Sequence, residues 1–229
     1  MNLLERQKDE SNREYAYRTI RNNIMNLTLL PGTLISELEL SNLLKLSRTP
    51  IREALTLLEK EKLIEVSPKR KSRVAFIQLQ LAHSGIFMHK AVEKEILQEA
   101  CERISITNLS YLENNLEVQK SLLLQENNHV TFYHLDNLFH SIIYDSVQNK
   151  GVWDAIEKMN AHYNRLRLLD VKNISLNSIV EQHERLVEII KTKDYEAIDS
   201  FVANHLGTVF QRIDNVKAEF GKFIVTSES

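Results

Sequence analysis

The feature that most constrains the fold is a pair of helix starts within residues 36–60. Ser36 and Glu39 form the S-x-x-E pattern of a capping box, which predicts a short helix. After a brief break, another predicted helix begins at Ser47 and runs to about Lys60. Two helices joined by so tight a turn form a helix-turn-helix, a motif whose second helix fits the major groove of DNA.

The run Ser-Arg-Thr-Pro-Ile-Arg-Glu-Ala-Leu at 47–55 gives the second helix two different sides. An apolar stripe follows one side, formed by Ile51, Leu55 and Leu58. Arg48 and Arg52 project from another side, and both the N–H groups of a helix start and arginine side chains favour phosphate. An ordinary amphipathic helix capped by Ser47 explains this stretch equally well when it is taken alone.

A basic hairpin is predicted directly after these helices. Residues 63–67 and 73–77 are β-prone runs on either side of a loop. The loop and its flank carry four cations: Lys69, Arg70, Lys71 and Arg73. A solvated turn is one explanation of such a cluster. Beside a helix-turn-helix, however, the hairpin is expected to be the wing of a winged helix, whose cations meet phosphate or the minor groove.

The charge is divided unevenly along the chain, although the net charge is only −2. Residues 1–78 hold 14 Lys and Arg against 10 Asp and Glu, whereas the remainder holds 15 against 21. This division supports a nucleic-acid contact at one end, although chance can also produce it. The single cysteine, Cys101, excludes an internal disulfide framework. No signal peptide or long apolar run is evident, so we expect a cytoplasmic protein with no membrane contact.

The rest of the chain has a helical pattern, and five glycines and three prolines leave few interruptions. An earlier helix is also predicted over residues 13–28, followed by a turn at Pro31-Gly32. Beyond residue 80 we predict six helices, near 80–104, 107–126, 129–147, 151–169, 175–191 and 194–221. The predicted fold is therefore mostly α, with a winged helix-turn-helix followed by an antiparallel bundle of about six helices.

The residues in this order resemble a known family. Pro31-Gly32, the helix-turn-helix leucines and the S-R-T-P-x-R-E-A-L core resemble the winged-helix domain of GntR-family transcription regulators, over about residues 15–77. The helical remainder looks like the FCD effector domain of the family's FadR-like branch, and six helices suggest its smaller VanR-like subgroup. The resemblance implies a DNA-binding domain over residues 1–78 and an effector-binding, dimerising domain over residues 79–229.

The resemblance also implies which residues contact DNA. In the family, DNA contacts fall on positions that match Arg48, Thr49 and Arg52, and we include the neighbouring Ser47. The wing is expected to add contacts from its four cations, which are Lys69, Arg70, Lys71 and Arg73. Arginine suits this role because its planar fork can bind a guanine edge or clamp a phosphate. Relatives usually carry glycine where this chain has Lys71, a difference that adds charge and bears on the shape of the turn.

Four residues with metal-ligand chemistry lie on predicted inward-facing helical stripes. Asp136 and His140 are spaced to share one helix face, and His183 and His205 lie on the fifth and sixth predicted helices. One carboxylate and three imidazoles would make a divalent metal site with open positions. From the residues alone, hydrogen-bonded histidines in a core are the commoner explanation of such a pattern.

The resemblance favours the metal. Metal-binding FCD domains carry an aspartate three residues before a Phe-His step, followed by two later histidines. Asp136-Asn-Leu-Phe-His140, His183 and His205 match this order and spacing. The ligand set suits zinc, nickel or manganese and does not choose among them.

An effector site is implied as well. FadR-like FCD regulators generally respond to small carboxylates, which can bind a metal and a nearby arginine. Relatives often carry an arginine four residues before the glutamate that corresponds to Glu93, where this chain has His89. His89 could bond a carboxylate, bind the metal or only pack. Arg165 and Arg167, on the predicted fourth helix, are the other cationic candidates.

Together these features predict a homodimeric, ligand-responsive regulator that binds an inverted-repeat operator in double-stranded DNA. Two alternatives stay open. The bundle could be a metal-free scaffold used only for dimerisation, or the metal could activate water in a hydrolase. Neither a Ser/His/Asp arrangement nor a glycine-rich phosphate loop is evident in the sequence, so we predict no enzyme activity.

Overall fold

The computed structural model describes residues 1–66, 72–125 and 128–226. Their buried apolar side chains form two large clusters. One cluster extends over residues 15–74 and also includes Ala161, and the other extends over residues 77–216. The first cluster belongs to a small mixed unit, and the second fills a helical bundle.

In its described residues, the N-terminal unit has three helices and a small antiparallel sheet. Its helices are α1 (Asn12–Met25), α2 (Glu37–Leu44) and α3 (Arg48–Lys60). Its strands, in the sheet order β1-β3-β2, are β1 (Leu34–Ile35), β2 (Ile64–Glu65) and β3 (Ser72–Val74). This arrangement is the predicted winged helix-turn-helix.

Local sequence explains the starts and ends of these helices. The Ser36 side chain accepts a hydrogen bond from the amide of Glu39, as predicted, and α2 ends at Lys45 in a left-handed conformation with φ of 55°. Ser47 occupies the N-cap position of α3, but its side chain makes no capping bond. The predicted apolar stripe of α3 is buried. The hydroxyl of Ser47 is therefore exposed at the start of a firmly packed helix.

The wing is confirmed as a hairpin, with shorter strands than predicted. Glu65 pairs with Arg73, and Ile64 with Val74, in antiparallel register. The tip, with the predicted DNA contacts Lys69, Arg70 and Lys71, lies outside the described residues. At the opposite end of the sheet, Gly32 has φ of 84° and donates its amide to Val74, which confirms the predicted turn.

The C-terminal unit has eight α-helices among the described residues, and the prediction of six was wrong. They are α4 (Leu79–Arg103), α5 (Ile106–Leu122), α6 (His129–Ser146), α7 (Lys150–Met159), α8 (Ala161–Leu169), α9 (Leu176–Thr192), α10 (Tyr195–His205) and α11 (Ile213–Phe220).

Two breaks account for the difference. Asn160 separates α7 from α8 at the point where it meets Gly85 of α4, and a Cβ on Gly85 would lie 2.6 Å from the Asn160 Oδ1 atom. Gly207, with φ of 87°, follows the end of α10, and a 3-10 helix (Thr208–Arg212) comes before α11. The helical sequence pattern continues through both positions and does not report contacts between helices, so it predicts neither break.

The two units are joined by more than the covalent connection. Strand β4 (Ile77–Gln78) links the wing to α4 and pairs in parallel with β5 (Ile224–Val225), near the end of the described chain. Helix α8 contacts both α1 and β4. No helix in the described parts of the chain is long and apolar enough to cross a bilayer.

Candidate functional site

The start of α3 presents the predicted DNA contacts to solvent. Ser47, Arg48, Thr49 and Arg52 are all exposed. The Nε atom of Arg52 lies 2.7 Å from Glu37 of α2. Exposed ion pairs of this kind contribute only about 0–1 kcal/mol, so the guanidinium can exchange its carboxylate for a phosphate or a base edge at little cost.

Arg73 is the only described member of the predicted wing cations. Its Nε atom lies 2.6 Å from Glu65 on the paired strand, and its guanidinium lies 5.1 Å from the Phe76 ring centre. These contacts hold the side chain at the base of the wing, on the outside of the hairpin. Of the four predicted DNA contacts in the wing, the structure therefore places only Arg73, and the other three lie outside the described residues.

Three histidines from three helices converge in the bundle. His140 of α6, His183 of α9 and His205 of α10 each offer one ring nitrogen, and these atoms all lie within 4.8 Å of one another. The Nε2 atoms of His140 and His205 are 3.1 Å apart. Two nitrogens bound to one ion at roughly 2.1 Å each, in tetrahedral or octahedral geometry, are separated by roughly 3.0–3.4 Å. The observed separation therefore fits a shared ion.

The other ring nitrogen of each histidine faces an oxygen acceptor. The Nδ1 atoms of His140 and His183 lie 3.2 Å from Glu93 and 2.7 Å from Gln119. His205 Nδ1 lies 2.7 Å from the side-chain oxygen of Gln182. An oxygen of this type can only accept, so each Nδ1 donates and each Nε2 is free to bind a metal. Metal-bound histidines are held in the same way in known sites.

The fourth predicted ligand, Asp136, lies at the edge of this cluster. Its Oδ1 atom is 3.5 Å from His183 Nε2, and its Oδ2 atom accepts a 2.6 Å hydrogen bond from Arg167. Among the described residues, the buried His183 Nε2 has no hydrogen-bond partner. An unsatisfied buried nitrogen is costly without a ligand. The structure thus brings the three predicted histidines together in a set that fits a transition-metal ion, and it places Asp136 next to one of them.

Charge in this cluster lies on buried acids and on their partners, since burial opposes protonation of His140 but the Glu93 carboxylate raises the pKa of that imidazole. Burial opposes ionisation of Glu93, but hydrogen bonds from His140 and His89 hold the pKa of Glu93 well below its usual value. Burial also opposes ionisation of Asp136, but the adjacent Arg167 guanidinium and the nearby His183 ring hold its pKa well below its usual value. Burial lowers the pKa of His183, which keeps its imidazole neutral as metal binding requires.

Sequence reasoning missed the acceptors that orient the imidazoles. Glu93 and Gln119 are fully buried on α4 and α5, and Glu93 also accepts a 2.6 Å hydrogen bond from Tyr144. The available signal was a polar residue at a core position of an amphipathic helix, as Gln119 is between Leu116 and Leu122. Such a position indicates a buried hydrogen bond but not its partner.

A small cavity adjoins two of the three histidines, His140 and His205. Its polar lining includes Asp136, Asn137, Asn164, Arg167 and Gln182. The cavity volume is ≈ 40 Å³, room for about three water molecules. A ligand that fits without movement of the walls is therefore only a few atoms in size.

The three effector candidates differ in position. Arg167 lines the cavity, so it stays a candidate for the effector contact. His89 lines it too, but its Nε2 faces Glu93 at 3.2 Å and its Nδ1 faces Asn160 at 2.9 Å, so both nitrogens are already engaged. Arg165 does not line the cavity, and the expectation that it contacts the effector needs correction. It is fully buried and donates to the carbonyl of Ala75, because it lies on the opposite side of α8.

Comparisons with known proteins extend over most of the chain. Residues 12–74 match the family described as bacterial regulatory proteins, gntR family, and residues 86–208 match the FCD domain. The HTH-type transcriptional repressor RspR of Escherichia coli (strain K12) is 28% identical over 204 residues, which cover 89% of each chain. An HTH-type transcriptional regulator in an unstable DNA locus of Streptomyces ambofaciens is 30% identical over 219 residues, covering 94% of this chain and 91% of that protein.

Solved structures share the fold at lower identity. E. coli McbR/YncC aligns with a TM-score of 0.75 at 19% identity, covering 92% of this chain and 99% of that chain. A GntR transcriptional regulator from Rhodococcus sp. RHA1 aligns with a TM-score of 0.69 at 16% identity, covering 92% and 100%. The matched family and relatives are transcriptional regulators, not enzymes, which answers the hydrolase alternative. The chain belongs to the GntR family of DNA-binding bacterial transcription regulators and carries an FCD domain.

Proposed function

We propose that this regulator is a cytoplasmic homodimer whose FCD domain binds a divalent metal and, through it, a small carboxylate. The convergence of one ring nitrogen from each of three histidines, with each Nδ1 facing an oxygen acceptor, is the observation that carries the proposal. His140, His183, His205 and Asp136 would hold the ion, as zinc, nickel or manganese. When bound, the metal supplies a Lewis acid with open positions for a carboxylate.

Residues of this chain would supply the rest of the effector site. Arg167 is placed to bind a second carboxylate oxygen once its contact with Asp136 loosens. Asn137, Asn164 and Gln182 offer hydrogen bonds to polar substituents of a ligand. The small cavity favours a short acid over a long one, unless the lining residues move.

DNA binding would use two winged helices, one from each protomer, on an inverted repeat. We assign residues 1–78 to the DNA-binding domain and residues 79–229 to the effector and dimerisation domain. Arg48, Thr49 and Arg52 would enter the major groove, and Arg73 with the wing tip would contact the backbone or minor groove. An effector changes operator affinity only if it binds the domain arrangement that fits DNA with a different affinity from the arrangement that does not.

A thermal-shift series tests the metal and the ligand together. Chelated protein is melted with zinc, nickel or manganese, alone and with a panel of two- to six-carbon carboxylates. A ligand that binds only the folded state raises the midpoint by mass action. We expect one or more metals to raise it and a carboxylate to raise it further in the presence of that metal.

His183→Ala should abolish the metal-dependent shift. His134→Ala is the matched control, because His134 is an exposed histidine on α6, outside the cluster. Equal midpoints for chelated and metal-loaded wild type would refute the metal site and leave the metal-free dimerisation scaffold as the function of the bundle.

A further inference from the structure

Helix α8 presents opposite sides to the two units of the protein. Tyr163, Asn164 and Arg167 line the cavity beside the histidines. Ala161 packs in the core of the DNA-binding unit, and Arg165 reaches the chain that leaves the wing. Residues two apart on an α-helix are rotated by about 200° around the helix axis and so lie on nearly opposite sides, which is why Arg165 and Arg167 contact different partners.

On the DNA-binding side, α8 holds the two elements that meet DNA. The Nε2 atom of His162 lies 3.1 Å from the carbonyl of Lys62, in the turn that ends α3. The Nδ1 atom of His162 accepts from the amide of Gln78, at 3.0 Å. Arg165 donates to the carbonyl of Ala75, directly after the wing strand β3, at 2.9 Å. The base of the wing and the end of the recognition helix are therefore bound to the same helical turn.

On the effector side, hydrogen bonds connect the start of α8 to the histidine cluster. His140 faces Glu93 at 3.2 Å, Glu93 faces His89 at 3.2 Å, and His89 faces Asn160 at 2.9 Å. Asn160 is the N-cap residue of α8. The backbone there is confined by α4, since a Cβ on Gly85 would lie 2.8 Å from the carbonyl oxygen of Met159. A shift at the cluster would therefore reach α8 through packed contacts.

The charge of Arg165 is unusual for a residue with a purely structural role. The side chain is fully buried, and within the described part of the chain its Nε atom has no hydrogen-bond partner and its guanidinium no carboxylate. Burial lowers the pKa of Arg165 to about 9. A buried cation without a counter-charge is costly, and an apolar side chain of similar volume often serves stability better.

We propose that Arg165 and His162 are positioning residues that hold the recognition helix and the wing on α8, so that the histidine cluster and the DNA-reading surface move together. The coupling half of this proposal rests on the proposed metal function, whereas the holding half does not. Breaking the contacts of Arg165 or His162 should leave a folded protein that still binds metal and DNA, but whose operator affinity no longer depends on the metal.

The test uses full-length Arg165→Met, Arg165→Lys and wild type. Arg185→Met is the matched control, because Arg185 is an exposed arginine whose ion pair is with Asp194 and not with α8 or the wing. The first measurement is amide hydrogen exchange of the segment 74–79, which contains the Gln78 amide bound to His162. The second is operator affinity with and without zinc, on a duplex selected from random sequences by the wild type.

In Arg165→Met we expect exchange of the 74–79 segment to be at least tenfold faster than in wild type. We also expect the zinc-dependent ratio of operator affinities to fall to within twofold of one, with zinc affinity unchanged within threefold. Arg165→Lys keeps one donor for the carbonyl of Ala75, so its exchange rate and its zinc-dependent affinity ratio should lie between those of Arg165→Met and wild type. Arg185→Met should match wild type in both measurements.

Exchange within twofold of wild type in Arg165→Met would overturn the holding role, and an unchanged zinc response would overturn the coupling role. If Arg165→Met does not fold, His162→Gln is measured against the same limits. If wild type binds no zinc, nickel or manganese, the proposed metal function and the coupling fail together, and the exchange comparison still decides the holding role.

Discussion

Gln119 offers a strict test of how the proposed metal site is oriented, because it contacts the proposed ligand His183 without being a ligand itself. The residue is fully buried on α5. Its side-chain oxygen faces His183 Nδ1 at 2.7 Å, and its nitrogen donates to Asn115 at 2.7 Å. Gln119→Leu keeps the approximate size of the side chain and removes the acceptor. Gln119→Glu keeps an acceptor in place.

The expected magnitude follows from this single contact. Without the acceptor, His183 can carry its proton on Nε2 or rotate, and either change would remove one of the three proposed imidazole ligands from the geometry that binds the metal. Loss of a partner of this kind typically lowers metal affinity about 10–100-fold, which corresponds to about 1.4–2.7 kcal/mol. Gln119→Glu should bind at least as tightly as wild type, because a carboxylate strengthens the donation from Nδ1.

Competition titration of zinc against a chromophoric chelator measures these affinities directly. Circular dichroism of the metal-free variants checks that each one folds, since an unsatisfied buried Nδ1 costs about 1–3 kcal/mol of stability. The reasoning is refuted if Gln119→Leu binds zinc as tightly as wild type, or if the two variants lose affinity equally.

Three other outcomes are expected. Arg52→Ala should weaken operator binding by about 1–3 kcal/mol in fluorescence anisotropy if Arg52 contacts a base bidentately, and unchanged affinity would exclude that contact. Gly85→Ala should lower stability by about 1–3 kcal/mol in thermal melts, because its Cβ would lie 2.6 Å from Asn160, whereas Gly151→Ala meets nothing within 4 Å and should not. Burial and the charge of Arg165 lower the pKa of His162 to about 3, below its unfolded value of about 6.5. The unfolded chain therefore binds the additional proton between these values, and stability is lost as the pH falls through this window, by up to about 1.4 kcal/mol per unit. Urea unfolding across pH should show a smaller loss in His162→Gln, and parallel curves would contradict the assignment.

The sequence predicted the winged helix well because its signals are local. The capping serine Ser36, the apolar stripe of α3 and the turn at Gly32 each act within a few residues. The helix breaks of the bundle were harder. The pattern is helical through 151–169, and the interruption at Asn160 comes from its close approach to Gly85, which is distant in sequence. The pairing of β4 with β5 involves two residues on each strand, too few for a periodic signal.

The candidate site was predicted in part, and for a different reason. The resemblance supplied the four expected ligands, and the structure places them together as candidates. It could not supply Gln119, because nothing local says which buried amide meets which imidazole. Arg165 and Arg167 were equivalent in sequence, and only the orientation of α8 separates a cavity residue from one that binds the DNA-reading unit.

X-ray absorption at the zinc K-edge, on protein loaded with one equivalent of zinc, tests the central claim most directly. The account predicts three imidazole nitrogens and at least one oxygen at about 2.0–2.1 Å, with one imidazole fewer in His205→Ala. A zinc shell made of oxygens with at most one imidazole, in wild type, would contradict it.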